Sequence, residues 1–303
     1  MKNQTDLHMH SSYSNDADFT PTELVHKCKA AGIKTMSITD HNSVKGTAEG
    51  KKVAAELGIE YISGIEINTI FNGTELHLLG YGIDENNPDF AKLDEHIFSQ
   101  ELNASRERLE LTKKLGFEIH ESELNAIADI KNGGVWIGET FAEVLLAKTE
   151  YIDHPLLQPY RIGGERGDNP FVNFFWDYFA QGKPCYIEMD FPSLGEAIAM
   201  IKNNGGKVVL AHPANNLKGQ FELFDEIAKA GIDGVEAFCS YHDEKTAKYF
   251  YEKALEFGLM ITCGSDYHGK TKPAVRIGEV EFLDCVSHHH MLKSLLQGKD
   301  ILC

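Results

Sequence analysis

Short apolar runs alternate with helix-length amphipathic segments from Thr5 onward, and that rhythm restricts the chain to an α/β fold with parallel strands. The pattern predicts a strand near Thr5 to His8, a helix near Thr20 to Ala31, a strand near Lys34 to Thr39 and a helix near Val44 to Leu57. The first helix is punctuated at both ends: Thr20 fits the N-cap, Pro21 the first helical position, Glu23 a capping box and Gly32 the stop. Asn72-Gly73 separates two further runs, Ile65 to Phe71 and Thr74 to Gly80. This dipeptide favours a type I′ hairpin, because both central residues need positive φ. Past Gly82 comes a long polar helical stretch through Gly116, then a Gly-, Pro- and aromatic-rich segment from Tyr151 to Tyr178. Residues 86–182 therefore read as an insertion between 1–85 and 183–303. The α/β rhythm resumes with strands over Lys207 to Ala211, Val235 to Phe238 and Leu259 to Cys263, for about seven strands in all.

A length of 303 residues suits one barrel-type domain or a domain that carries an insertion. No run of about eighteen apolar residues occurs and no basic-plus-apolar leader follows Met1, which predicts a cytoplasmic protein with no membrane partner. The six cysteines are scattered without a C-x-x-C pair, as expected of buried thiols in a reducing compartment. A formal charge of −17 opposes binding of long nucleic acid, but a small anionic substrate drawn in by metal ions is compatible with it.

Side chains two apart on a strand share a face, so Asp6, His8 and His10 can project from the end of the first strand toward one point. Asp266 and His268 repeat the device just after the last apolar strand. With Asn72-Gly73 as the loop, Asn68 pairs with His77 and Glu66 with Leu79, so Glu66 and His77 become diagonal neighbours able to reach one metal. His41 follows the second strand, Asp16 lies in the loop after His10, and His212 closes the strand Lys207 to Ala211. Each of these alone also fits an ordinary hydrogen-bonded strand end or a solvated face. Together His8, His10, Asp16, His41, Glu66, His77, His212, Asp266 and His268 are nine N or O donors, a number that suits three ions. Imidazole with carboxylate favours Zn, Mn or Fe over Ca or Mg.

The runs Asp6-Leu7-His8-Met9-His10-Ser11, Thr39-Asp40-His41-Asn42, Gly64-Ile65-Glu66, His77-Leu78-Leu79-Gly80-Tyr81, Ala211-His212-Pro213 and Gly264-Ser265-Asp266-Tyr267-His268-Gly269 resemble, in order, the polymerase and histidinol phosphatase (PHP) family. The resemblance covers residues 4–82 and 183–285. It implies a distorted (β/α)7 barrel of PHP type with a mainly helical insertion (cap) domain, and two or three divalent metal ions at the C-terminal strand ends. It implies that His8, His10, Glu66 and Asp266 hold one ion, Glu66, His77 and His212 a second, and Asp16, His41 and His268 a third. Asp16 stands where many relatives have His, in a loop from Ser14 to Pro21 that is one residue longer than in the simplest members.

The implied reaction is hydrolysis of a small phosphorylated metabolite (nucleotide, nucleoside bisphosphate or sugar phosphate) by a hydroxide that bridges two ions. Asp40 would orient His41 or shuttle a proton, and His242 would protonate a leaving oxygen or bind phosphate. Relatives that act on nucleotides often carry Gly-Arg-Pro-His in the cap, where this chain reads Ile137-Gly138-Glu139-Thr140-Phe141. Arg161 and Arg166 are the substitute anion binders, with a solvated loop of paired charges as the alternative. Trp136, Phe171, Phe174, Phe175, Trp176 and Tyr178 read as the insertion's own core rather than a base-stacking site. His26, His96, His120, His154 and the run His288-His289-His290 read as surface. Alternative activities are a cyclic phosphodiester hydrolase, an amidohydrolase-type metal hydrolase or a non-catalytic metal-binding module. The sequence leaves the oligomeric state open.

Overall fold

The computed structural model describes residues 4–131, 133–280 and 282. His288-His289-His290, Cys285 and Cys303 lie outside the described residues. The chain runs through β1 (Thr5–Asp6), α1 (Pro21–Ala31), β2 (Thr35–Met36), α2 (Thr47–Glu56), β3 (Glu60–Tyr61), β4 (Gly64–Phe71) and β5 (Thr74–Tyr81). Four helices follow: α3 (Pro88–Lys114), α4 (Glu121–Lys131), α5 (Gly138–Ala147) and α6 (Pro170–Tyr178). Alternation then returns with α7 (Leu194–Asn203), β6 (Lys207–Leu210), α8 (Pro213–Leu217), α9 (Leu223–Lys229), β7 (Gly234–Cys239), α10 (Glu244–Phe257) and β8 (Met260–Gly264).

Helix α1 has the ends its sequence dictates. Thr20 accepts a hydrogen bond from the Glu23 N–H, the Glu23 carboxylate returns to the Thr20 N–H, and Gly32 closes the helix at φ 87°. The hairpin register is the one predicted, with Asn68 opposite His77 and Glu66 opposite Leu79, and Asn72 and Gly73 sit at φ 49° and 79°.

The strands form two sheets, and among the described residues no closed barrel is present. One sheet is parallel, in the order β1-β2-β3; the other has the order β4-β5-β6-β7-β8, antiparallel as far as β6 and parallel beyond it. The first strands are much shorter than predicted because single bridges replace ladders there. On one side Leu7 donates to the Cys263 carbonyl and Met9 bridges Tyr267. On the other His41 bridges Glu66, while the Asn42 N–H donates to the Glu66 carbonyl.

Apolar clusters fill the space behind these strands, with one linking β4 to β8 and α7 to α10, and another under α1 and α2. Residues between Leu109 and Cys185 have a core of their own, which contains Trp136, Phe141, Phe174 and Phe179. β8 passes very close to β1. A Cβ at Gly264 would come within 2.2 Å of the His8 Cβ and 2.7 Å of the Glu236 Oε1. Gly264→Ala should therefore cost about 1–3 kcal/mol of stability by overpacking, and a urea midpoint equal to that of the wild type would refute this close approach.

Candidate metal centre and substrate cleft

The ends of β1, β2 and β8, the hairpin β4–β5 and the turn after β6 converge around one carboxylate. Glu66 is fully buried, with Oε2 3.2 Å from the Nε2 atoms of His8 and His10 and 3.0 Å from the His41 Nδ1. Its Oε1 lies 3.0 Å from the His77 Nδ1 and 3.0 Å from the His212 Nε2. Asp266 Oδ1 stands 3.3 Å from His8 Nε2 and 3.2 Å from His10 Nε2. Asp16 Oδ2 stands 3.1 Å from His268 Nε2 and 3.6 Å from His41 Nε2.

The structure thus brings all nine candidate donors into one neighbourhood. Metal-compatible groupings are His8, His10, Glu66 and Asp266; His10, Asp16, His41 and His268; and His41, Glu66 and His77. His77 and His212 both meet Glu66 Oε1, each at 3.0 Å, and the His77 Nε2 faces the Asn68 amide at 3.0 Å. Asp6 does not join them. Its Oδ1 accepts from the Ser265 N–H and its Oδ2 from the Gly278 N–H, so it ties the segment after β8 to β1.

The imidazoles are held with a common orientation. His8 Nδ1 donates to Glu236 at 3.0 Å, His10 Nδ1 meets Ser14 Oγ at 3.0 Å, and His268 Nδ1 donates to the Asp266 carbonyl at 2.8 Å. Each bond leaves the Nε2 lone pair facing inward, which is the tautomer a metal ligand needs. Despite the short contacts above, the Nε2 atoms of His8, His10 and His268, together with Glu66 Oε2, Asp16 Oδ1 and Asp266 Oδ1, are buried without a hydrogen-bond partner. Buried polar atoms are rarely left so, and a cluster of acceptors that lacks donors fits divalent cations. The residues present therefore suit Mn, Fe or Zn in donor type.

Electrostatics reflect the crowding of carboxylates: burial would lower His8 and His41, but Glu236, Glu66 and Asp266 push His8 up and Glu66 and Asp16 push His41 up. Burial would raise the Glu66 carboxyl, but His8, His77 and His41 outweigh it and hold the group well below the usual carboxylate range. Asp266 is likewise held down against burial by Lys272, His268 and His8. Burial, with His268 and His41, pushes His10 down to about 3, so its ring is neutral and able to ligate. Asp266 sits in the left-handed region at φ 56°, as does Asn42 at φ 54°, the sort of backbone strain that the surroundings must support.

Several predicted roles are corrected. Asp40 does not touch the cleft. Its carboxylate accepts from the Ser11 N–H and Oγ and from Ser14 Oγ, so it steadies His10 through Ser14 instead of orienting His41 by a direct contact. His242 is fully engaged, with Nδ1 donating to the Ala237 carbonyl at 2.8 Å and Nε2 accepting from the Ala214 N–H at 3.3 Å, which leaves nothing for a phosphate. Arg161 donates to the Leu146 and Tyr151 carbonyls, and Arg166 makes a two-pronged pair with Asp177; both organise the insertion's loops and neither lines the cleft. Of the aromatic cluster, Phe174 and Trp136 belong to the core, but Phe175 and Trp176 face the cleft.

The cleft is a cavity of 380 Å³ that reaches from Asp16, His41, His77, His212 and Asp266 to the insertion. The sequence reading missed Glu236, Lys272, Tyr241 and Glu139. Glu236 had a signal, a carboxylate inside the apolar strand Gly234–Cys239, and a bulge between Glu236 and Phe238 aims it at His8. Lys272 and Tyr241 donate to Asp266 Oδ2 at 2.6 and 2.7 Å, turning Oδ1 toward the imidazoles. Glu139 is buried at the cleft wall, and burial, followed by the nearby charge of Asp16, pushes its carboxyl up to about 8.

A model of the PHP domain matches residues 6–155. The chain is 29% identical, over 88% of its length and 91% of the relative's, to a 5′-3′ exoribonuclease of Haemophilus influenzae. It is 29% identical, over 92% of both chains, to a 3′,5′-nucleoside bisphosphate phosphatase of Chromobacterium violaceum. A solved chain from Bifidobacterium adolescentis shares the fold, with a TM-score of 0.75 at 24% identity over 96% of this chain and 95% of that one.

Because Glu236 fixes His8, Glu236→Ala should lower metal affinity by about 10–100-fold in a chelator competition. Arg166→Ala should leave that affinity and KM unchanged while lowering the thermal midpoint. Metal binding unmoved by Glu236→Ala, or a raised KM in Arg166→Ala, would reverse these assignments.

Proposed function

We propose, from the premise that the chain belongs to the PHP family and is a phosphoric ester hydrolase, that it cleaves a phosphate ester of a nucleotide-sized metabolite at a centre of two or three metal ions. The observation that carries this reading is the convergence of nine histidine and carboxylate side chains, among which the Nε2 atoms of His8, His10 and His268 and one oxygen each of Glu66, Asp16 and Asp266 are buried without hydrogen-bond partners. His8, His10, Glu66 and Asp266 would hold one ion, with His41, His77, Asp16, His268 and His212 completing the neighbouring positions. When bound, Mn, Fe or Zn supplies Lewis acidity that acidifies a water and offsets the charge of the phosphoryl oxygens.

The protein's part is preorganisation. Glu236, Ser14 and the Asp266 carbonyl hold the Nδ1 protons of three imidazoles outward, while Lys272 and Tyr241 hold Asp266 in place. Residues 1–85 and 183–303 would form the catalytic unit, a distorted (β/α)7 ring in which β3 and β4 count as one strand broken at Ile62 and Ser63. Residues 86–182 would form the cap, and their separate core and their contribution of Phe175 and Trp176 to the cleft support that division. A cavity of 380 Å³ suits one small ligand, and both relatives named above act on phosphate esters of nucleotides or RNA. The end of an RNA strand is thus a second reading, favoured by the exoribonuclease relative. Among the described residues, no helix is long and apolar enough to cross a membrane.

The test is phosphate release from nucleotides, bisphosphates, sugar phosphates, cyclic phosphates and a short 5′-phosphorylated RNA, with Mn-loaded protein. Wild type should turn over at least one class, and His8→Ala and Asp266→Ala should each lose on the order of a thousandfold in kcat/KM. Turnover undiminished in both variants, or no ester cleaved at all, would refute the proposed centre.

A further inference from the structure

Glu139 is an acidic group of the cleft that pairs with no cation among the described residues. It occupies the second position of α5, is only 8% exposed and lines the cavity. Its carboxyl accepts from its own backbone N–H and has no hydrogen bond or ion pair with any other described residue; Lys272 and Arg108 act on it only from a distance, and Asp16 opposes its charge. Three cations of the cleft are committed elsewhere. Lys45 pairs with Asp94, Arg108 with Glu101 and the Trp136 carbonyl, and Lys272 with Asp266. Lys218 bears on Glu75, whose carboxyl it helps to lower.

A buried carboxyl without a partner is costly, and folds keep such groups where a ligand completes them. In either protonation state its natural partner is a hydroxyl or amino group. A second phosphate brought beside Glu139 would meet a carboxyl, not a cation, at that wall. Beside Glu139 the cleft presents Phe175 and Trp176, a face suited to a flat ring.

We infer that Glu139 determines substrate specificity: it takes a hydroxyl or amino donor on the organic part of the ester, so that the preferred substrate carries one phosphate and free donors, not two phosphates. This rests on the phosphoesterase reading and narrows it. The bisphosphate activity of the Chromobacterium violaceum relative is therefore not expected to be the principal one here.

The test is calorimetric binding to the metal-loaded full chain, with three non-hydrolysable adenosine 5′-phosphonates: the parent ribonucleoside, its 2′,3′-dideoxy form and a 3′-phosphorylated mimic whose second group is also a carbon-linked phosphonate. Wild type should bind the parent at least about tenfold more tightly than either of the others, the worth of one hydrogen bond to a charged group. Glu139→Leu should abolish the preference over the dideoxy form, and Glu139→Arg should reverse the preference over the 3′-phosphorylated form. If the leucine variant fails to fold, Glu139→Gln should at least halve the first preference. Equal or tighter wild-type binding of the 3′-phosphorylated probe, no binding of the parent, or a preference unchanged in the folded variants would overturn the inference. Because no probe is cleaved, absence of turnover in the release assay with these preferences intact would refute the reaction and leave the specificity standing.

Discussion

Everything in the catalytic region depends on one buried carboxylate. Glu66 is fully shielded from water, and five imidazoles, those of His8, His10, His41, His77 and His212, lie 3.0 to 3.2 Å from its oxygens. Such a charge is tolerable only when partners surround it, so the four chain segments that deliver those histidines must meet at that point. The bridge between His41 and Glu66, one of the contacts that join the two sheets, belongs to the same arrangement. Sheet joining and site assembly are thus one event, and the strand ends sacrifice ladder length to achieve it.

Around this centre lies a layer of groups that point away from the cleft and still shape it. Glu236 sits at a bulge in a buried strand and fixes His8, while its other oxygen accepts from the His212 N–H. Asp40 works through two serines, and Lys272 and Tyr241 share one oxygen of Asp266 so that the other faces inward. These contacts set tautomer and orientation, and a metal ligand held loosely would forfeit most of its affinity. The insertion adds the far wall. Arg161 and Arg166, which charge alone would assign to an anion, are consumed by backbone carbonyls and by Asp177, and the wall instead presents Phe175, Trp176 and the Glu139 carboxyl.

The readable part of the fold was local. The α1 capping box and the hairpin register from Asn72-Gly73 follow from short-range stereochemistry, and both stand where the residues place them. That register put Glu66 and His77 side by side before any tertiary contact was known. The nine candidate donors were legible because paired residues recur at strand ends, a pattern that period-two geometry makes visible. What could not be read were contacts between segments distant in sequence. Nothing within the sequence near Arg166 reports Asp177 as its partner across a turn, and nothing near His242 reports that Ala237 and Ala214 will occupy both its nitrogens.

The sequence by itself determined the element order, the α/β class, the hairpin register and the set of side chains able to bind metal, since each depends on spacing along one strand or helix. The tertiary structure alone decided that five imidazoles gather on Glu66, that the early strands shrink to bridges, and that Glu139 rather than Arg161 or Arg166 lines the cleft. The physical reason is range. Propensity and periodicity act over a few residues, whereas the burial of a charge is settled by whichever distant segments arrive to satisfy it.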